Sequence, residues 1–167
     1  HTGLFDFVAV WAAQKAKAEP RRILIYLGLI TAVFSGFLDN VTTVLLMVPV
    51  TFSITQKLHI SPMPFLLTQI IASNIGGTAT LIGDPPNIMI GSAVKELTFV
   101  AFIENLTPVV ILCMVAVLFV MNVLYRKQMV TKPELQAEIM QMDETRSLKD
   151  RKLLARSLFV LGLTILG

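Results

Sequence analysis

The chain has 167 residues, 54% of them hydrophobic and 15% charged, with a net charge of +3 and a mean hydropathy of +0.73. An average soluble domain carries roughly 25% charge, so this balance points to a membrane protein. The basic residues sit in short segments between apolar runs, with no stripe of interleaved aromatics, which argues against a nucleic-acid partner; one cysteine, Cys113, builds neither a disulfide framework nor a metal cluster.

Residues 3–18 place Leu4, Phe7, Val8, Val10 and Trp11 ahead of Lys15, Lys17 and Pro20-Arg21-Arg22. This suits the end of a membrane helix, or a helix lying in the interface with Trp11 at headgroup level. Residues 23–55 are apolar apart from Asp39-Asn40 and scattered hydroxyls. A single helix of that length would reach roughly 50 Å against a hydrocarbon core of about 30 Å, so the run must turn back. Ser35-Gly36 and Asp39-Asn40 supply the turn. The expectation is a re-entrant helical hairpin over residues 22–56, two half-length helices with Asp39-Asn40-Val41-Thr42-Thr43 at the tip. Two thin full spans satisfy the same pattern.

Residues 56–62 form a polar connection in which His59 reads as a solvated loop residue. A broken transmembrane helix follows over residues 62–95. Its first half runs from 62 to about 72 and its second from 85 to about 94. Between them the chain reads Ser73-Asn74-Ile75-Gly76-Gly77-Thr78-Ala79-Thr80-Leu81-Ile82-Gly83-Asp84 before Pro85-Pro86-Asn87. Adjacent prolines and three glycines cannot be helical throughout. Unwound backbone at membrane depth is tolerated only where it is buried in protein or lines a cavity, which makes the break a candidate binding site.

Residues 102–124, about 34 Å as a helix, make one crossing. Cys113 lies within that run and reads as a buried inert thiol. The segment 126–152 carries Arg126, Lys127, Lys132, Arg146, Lys149, Arg151 and Lys152, and the positive-inside rule places it in the cytoplasm. Leu135, Ile139 and Met142 recur there at helical spacing, which fits a surface amphipathic helix or a plain linker. The domain reading is a membrane transport domain over residues 1–125, a cytoplasmic linker over 126–152, and the start of another transmembrane helix over 153–167, the whole looking like a piece of a longer protein in a bacterial inner membrane.

Between residues 23 and 94 the only acids are Asp39 and Asp84, each in a break. Intramembrane acids are costly and usually face a cavity, where they hold cations or relay protons; both also stand where a helix cap would. The only basic residues in that range are Lys57 and His59, in the connecting loop. The sign of the site therefore favours a cation such as sodium, or a neutral solute coupled to protons. Further ligands would come from Asn40, Thr42 and Thr43 at the tip and from Ser73, Asn74, Thr78 and Asn87 at the break. Gly76 and Gly77 would bring backbone close to the ion, or form a helix-packing seam. A sodium ion would sit among Asp39, Asn40, Ser73 and Asn74, using carbonyls that open near Ser73.

At these residues the chain resembles the ion transporter superfamily, and within it the branch of arsenite permeases, related sodium/proton antiporters and the melanosomal P protein, with a citrate transporter-like domain. The resemblance rests on Phe37-Leu38-Asp39-Asn40-Val41-Thr42-Thr43-Val44-Leu45-Leu46, on Val48-Pro49-Val50-Thr51 and on the long string from Ala72 through Ile90, and it covers roughly residues 3–127. It implies an all-α membrane protein with two inverted repeats, each a hairpin plus a broken helix, of which this chain holds the first. It implies a secondary active transporter of an inorganic ion or small solute, arsenite or sodium, driven by a proton or sodium gradient through alternating access. The partners implied are the lipid bilayer, a homodimer, and an ATPase subunit for an arsenite pump; no cofactor is expected beyond a bound sodium ion. Dicarboxylate carriers of the superfamily have a Ser-Asn-Thr tip where this chain has Asp39-Asn40-Val41, which leaves di- or tricarboxylate transport as the alternative. A soluble nucleotide-binding domain built on the Gly-rich residues 75–87 is the remote one, since neither phosphate-loop glycine pattern is matched.

Overall fold

The computed structural model describes Trp11, residues 13–94 and residues 98–140. All regular elements among these are helices: α1 (Pro20–Ser35), α2 (Asn40–Lys57), α3 (Met63–Gly77), α4 (Pro85–Ala93), α5 (Phe99–Leu124) and α6 (Pro133–Met140). The apolar positions expected at residues 3–10, the connection at Lys95-Glu96 and everything from 141 onward, including Met142 and the helix expected over 153–167, lie outside the described residues.

Proline sets most of the helix starts. Pro20, Pro64 and Pro85 stand at the first or second helical position, where the missing amide hydrogen costs nothing and the fixed φ is already helical. Thr98 caps α5 by accepting from the Ala101 amide at 3.2 Å, which starts that helix three residues ahead of the expected 102. Lys57 closes α2, and its end is a complete Schellman motif. Ile60 N donates to Thr55 O at 3.0 Å and His59 N to Gln56 O at 3.2 Å, with His59 at φ 52° in the left-handed position that glycine usually fills.

Helices α1 and α3 run parallel and form the closest seam. Gly28 packs beneath Thr68 and Leu118, where an added Cβ would lie 3.2 Å from Thr68 Cγ2 and 2.9 Å from Leu118 Cδ2. One face further along, Gly76 lies directly on the backbone of Ala32. Helix α2 returns antiparallel to both, joined to α3 by a buried bond from Thr51 Oγ1 to Gln69 Oε1 (3.0 Å). Helix α5 descends against α1 and α3 and ends beside the start of α1. The chain after it is tied there by Thr131 Oγ1 donating to Leu58 O at 2.7 Å. The core between these helices consists of Ile23, Leu24, Leu27, Met47, Ile54, Phe65, Met114 and Leu118 with their neighbours.

Helix α5 has 26 residues and a mean hydropathy of 2.6 over its most apolar window; among the described residues it is the one helix long and apolar enough to cross a membrane on those grounds alone. Its outer face is bare, with Leu112 71% and Phe119 69% exposed. Cys113 lies on that exposed face, which corrects the expectation of a buried thiol: the flanking residues are apolar because they face outward toward lipid or another part of the protein.

The break differs from expectation in one respect. Helix α3 runs on to Gly77 rather than ending near residue 72, because Ser73 and Asn74 turn their side chains back to Ile70 O, at 2.9 and 2.8 Å, and do not interrupt the helix. The non-helical stretch is therefore residues 78–84. The hairpin turn is also tighter, at residues 36–39, with Asn40, Val41, Thr42 and Thr43 forming the first turn of α2.

Candidate functional site

The hairpin turn and the break meet at one end of the α1–α3 seam, and Asn40 joins them. Its Oδ1 accepts from Ser35 Oγ at 2.6 Å, and its Nδ2 donates to Asp84 Oδ1 at 2.9 Å and reaches Asn74 Oδ1 at 3.5 Å. One amide thus connects the last residue of α1, the first of α2, the last turn of α3 and the residue before α4. Space for it exists because residue 77 is glycine. A Cβ there would run into Asn40 Oδ1 and come within 3.0 Å of Gly83 O.

A second set of bonds latches the backbones. Thr80 Oγ1 donates to Gly36 O and accepts from Gly83 N at 3.1 Å, so a single hydroxyl spans turn and break. Asn87 Nδ2 donates to Gly77 O at 3.2 Å and to Thr80 O at 2.9 Å, stapling the two sides of the break. Gly83 rests on Gly77 and on Ser35 O, 2.8 Å from its hypothetical Cβ. These contacts place Asn40, Asn74, Gly76, Gly77, Asp84 and Asn87 in one cluster. They also bring in Ser35, Gly36 and Thr80, which sequence reasoning did not name as site residues. Thr80 was legible in principle, since a loop packed against protein must satisfy its own amides and carbonyls, and a hydroxyl between small residues is the available means.

The remaining expected residues are placed differently. Asp39 is exposed and caps α2 by accepting from Thr42 N at 3.0 Å, with no direct bond to the Asn40–Asp84 pair. Thr42 and Thr78 are exposed, and Thr78 Oγ1 donates to Ile75 O at 2.7 Å. Thr43 is fully buried and its hydroxyl has no hydrogen-bond partner among the described residues. Ser73 is 1% exposed and lies inside α3, so the carbonyls expected to open there do not. The last four carbonyls of α3, those of Asn74, Ile75, Gly76 and Gly77, each accept from Thr78 N, Thr78 Oγ1, Ala79 N and Asn87 Nδ2 respectively.

The charge of the cluster follows from what its helix N-termini offer. Such ends usually attract anions through free amides and the helix dipole. At α4 the first two positions are prolines with no amide hydrogen, and the amides of Asn87 and Ile88 are already given to Asp84 O at 3.0 and 3.3 Å. At α2 the Asp39 carboxylate fills the position an anion would take. Asp84 itself does not cap α4 with its side chain; that carboxylate turns to Asn40 instead. Lys57 lies at the far end of α2, about 26 Å along the helix from Asn40. The cluster is thus a set of oxygen and amide groups around one half-buried carboxylate, with its ready-made anion sites already filled.

Comparison with known proteins finds relatives among membrane transporters. The family model described as "Citrate transporter" matches residues 1–167. A 46 kDa membrane protein of Mycobacterium leprae is 44% identical over 166 residues, 99% of this chain and 38% of that protein. The uncharacterized transporter Rv2684 of Mycobacterium tuberculosis is 44% identical over 155 residues, 93% of this chain and 36% of that protein. The P protein of Homo sapiens is 48% identical over 91 residues, 54% of this chain and 11% of that protein. The chain spans less than two-fifths of the length of the mycobacterial relatives. It is an integral membrane protein of a transporter lineage, and with its whole length matched it belongs to the citrate transporter family within the ion transporter superfamily.

Proposed function

We propose that this chain forms one side of the transport site of a secondary transporter in a bacterial inner membrane, moving a small cation or neutral inorganic solute by alternating access. The observation that carries the reading is the Asn40–Asp84 bond, which joins a carboxylate to the point where a helical hairpin turn meets a break; at membrane depth such a carboxylate holds a cation or a proton. Asp84 Oδ2 has no hydrogen-bond partner among the described residues, which leaves one oxygen for a sodium ion or a proton while Asn40 fixes the other. Oxygen ligands suit a hard cation, and Asn74, in the last turn of α3, supplies a further one. Asp39, exposed beside the turn, acts as the outer charge that draws a cation toward the site. On this reading the hairpin over residues 22–56 is re-entrant, a second inverted repeat supplies the other half, and the basic ends near Lys57 and Arg126 are cytoplasmic.

The competing reading is di- or tricarboxylate transport, and the description of the family favours it. Against it stand the filled helix N-termini and the distance of Lys57. The test uses the full-length protein in everted vesicles energised by a proton gradient, comparing wild type with Asp39→Asn and Asp84→Asn, with sodium, arsenite and citrate added separately. Collapse of the gradient by sodium in wild type, lost in Asp84→Asn, supports cation antiport. Accumulation of arsenite without any sodium effect moves the substrate to the neutral solute. Citrate movement that survives both substitutions refutes a transport role for the two acids.

A further inference from the structure

At the opposite end of the bundle a cavity of about 510 Å³ opens between the end of α2 and the chain entering α6, lined by Leu58, His59, Val130, Lys132, Glu134 and Leu135. We propose that this cavity seats the phosphate of a hydroxyl-bearing anionic lipid headgroup. Three observations converge on it.

The first is depth. Val130 and Lys132 follow within eight residues of Leu124, where the apolar helix α5 ends, so the cavity lies where a lipid places its headgroup. The second is chemistry. Lys132 offers a cation and His59 a ring N–H to phosphate oxygens, the Glu134 carboxylate can accept from headgroup hydroxyls, and Val130 and Leu135 line the wall that glycerol and the first acyl carbons would meet. Val130 is 72% exposed, an apolar side chain left open to its surroundings at this level. The surrounding end of the bundle carries Arg21, Arg22, Arg126 and Lys127 and so attracts anionic lipid, while Glu19, paired with Arg22 at 2.7 Å, offsets one of these charges.

The third observation is His59 itself. It occupies the left-handed position of a Schellman motif, where glycine is the favoured residue and a side chain is tolerated at a cost. A strained backbone position is a reason to look for what its side chain does. His59 is one of the residues lining the cavity, and its side chain is exposed there.

The test measures lipid retained by the full-length protein after detergent exchange, using native mass spectrometry with phosphatidylglycerol and phosphatidylcholine titrated separately. Wild type is expected to prefer phosphatidylglycerol, and Lys132→Gln and His59→Gly are each expected to weaken that preference roughly fivefold, the scale of one basic contact at an anionic surface. His59→Gly must do so with a melting temperature at or above that of wild type, since glycine suits the backbone there. Arg22→Gln, outside the cavity and paired with Glu19, should weaken the preference clearly less than either cavity variant. Equal loss in Arg22→Gln would mean diffuse surface charge and overturn the proposal. So would an unchanged preference in both cavity variants, or inorganic phosphate binding as well as the lipid does.

Discussion

Asn40 is the residue through which the site is organised, because its amide accepts from the last residue of α1 and donates to the residue before α4. This separates two consequences of changing Asp84. In Asp84→Asn the replacement still presents a carbonyl oxygen to Asn40 Nδ2, so the melting temperature of the detergent-solubilised full-length protein should stay within a few degrees of wild type, while cation-dependent transport is lost with the charge. In Asp84→Ala the donor loses its partner. A hydrogen bond to a charged group contributes about 1.5–3 kcal/mol, and the melting temperature should fall accordingly. If Asp84→Asn transports normally, the carboxylate has no part in the site. Gly77→Ala is the complementary test, since it leaves every polar group in place and adds only a methyl where Asn40 sits. Transport should drop at least tenfold through displacement of Asn40, and an unaffected rate would show that the Asn40 position is dispensable.

At the scale of elements, the hairpin turn and the break behave as one unit because Thr80 and Asn87 tie backbone to backbone across them. Thr80→Val keeps the shape and removes both bonds of a buried hydroxyl. The expected cost is about 1–3 kcal/mol from the unsatisfied Gly36 carbonyl and Gly83 amide, read as a lower melting temperature, with Thr80→Ser restoring most of it. The two non-helical regions were legible in the sequence because Gly36 after Ser35, and Gly83-Asp84 before Pro85-Pro86, weaken or end a helix within an apolar run. Their edges were not. Ser73 and Asn74 read as loop residues because serine and asparagine often compete with helical bonding, yet both bond to Ile70 O and stay within α3. Local composition cannot decide between those outcomes. The packing of Gly76 on Ala32 decides it, since that contact needs α3 to continue as a helix to the level of α1's last turn. The same limit explains Cys113, whose apolar neighbours are compatible with a core or with an outer face until the partners of α5 are known.

At the scale of the whole molecule, the helix directions group the charges by end. Helix α1 begins, α2 ends, α3 begins and α5 ends on one side, and this side holds Arg21, Arg22, Lys57, Arg126, Lys127 and Lys132, whereas the turn and break with Asp39 and Asp84 lie toward the other end of the α1–α3 seam. Basic residues near membrane helix ends fix orientation by staying in the cytoplasm, whereas acids contribute little to that choice. Thr98 and Lys127 lie beyond opposite ends of α5, whose 26 residues span about 39 Å and so exceed a hydrocarbon core of about 30 Å. In the full-length protein with Cys113 and every other native cysteine replaced by serine, Lys127→Cys should react with a membrane-impermeant maleimide in everted vesicles and be protected in intact cells. Thr98→Cys should show the reverse, and Lys57→Cys should follow Lys127→Cys, because both lie at the end where Thr131 meets Leu58. Labelling of positions 57 and 127 from opposite sides would break the arrangement, since α2 and α5 would then no longer end on one face of the membrane. Labelling of both only in intact cells would keep the fold and invert it. Helix directions alone do not choose between the two orientations, so the positive-inside argument stands or falls on this one comparison.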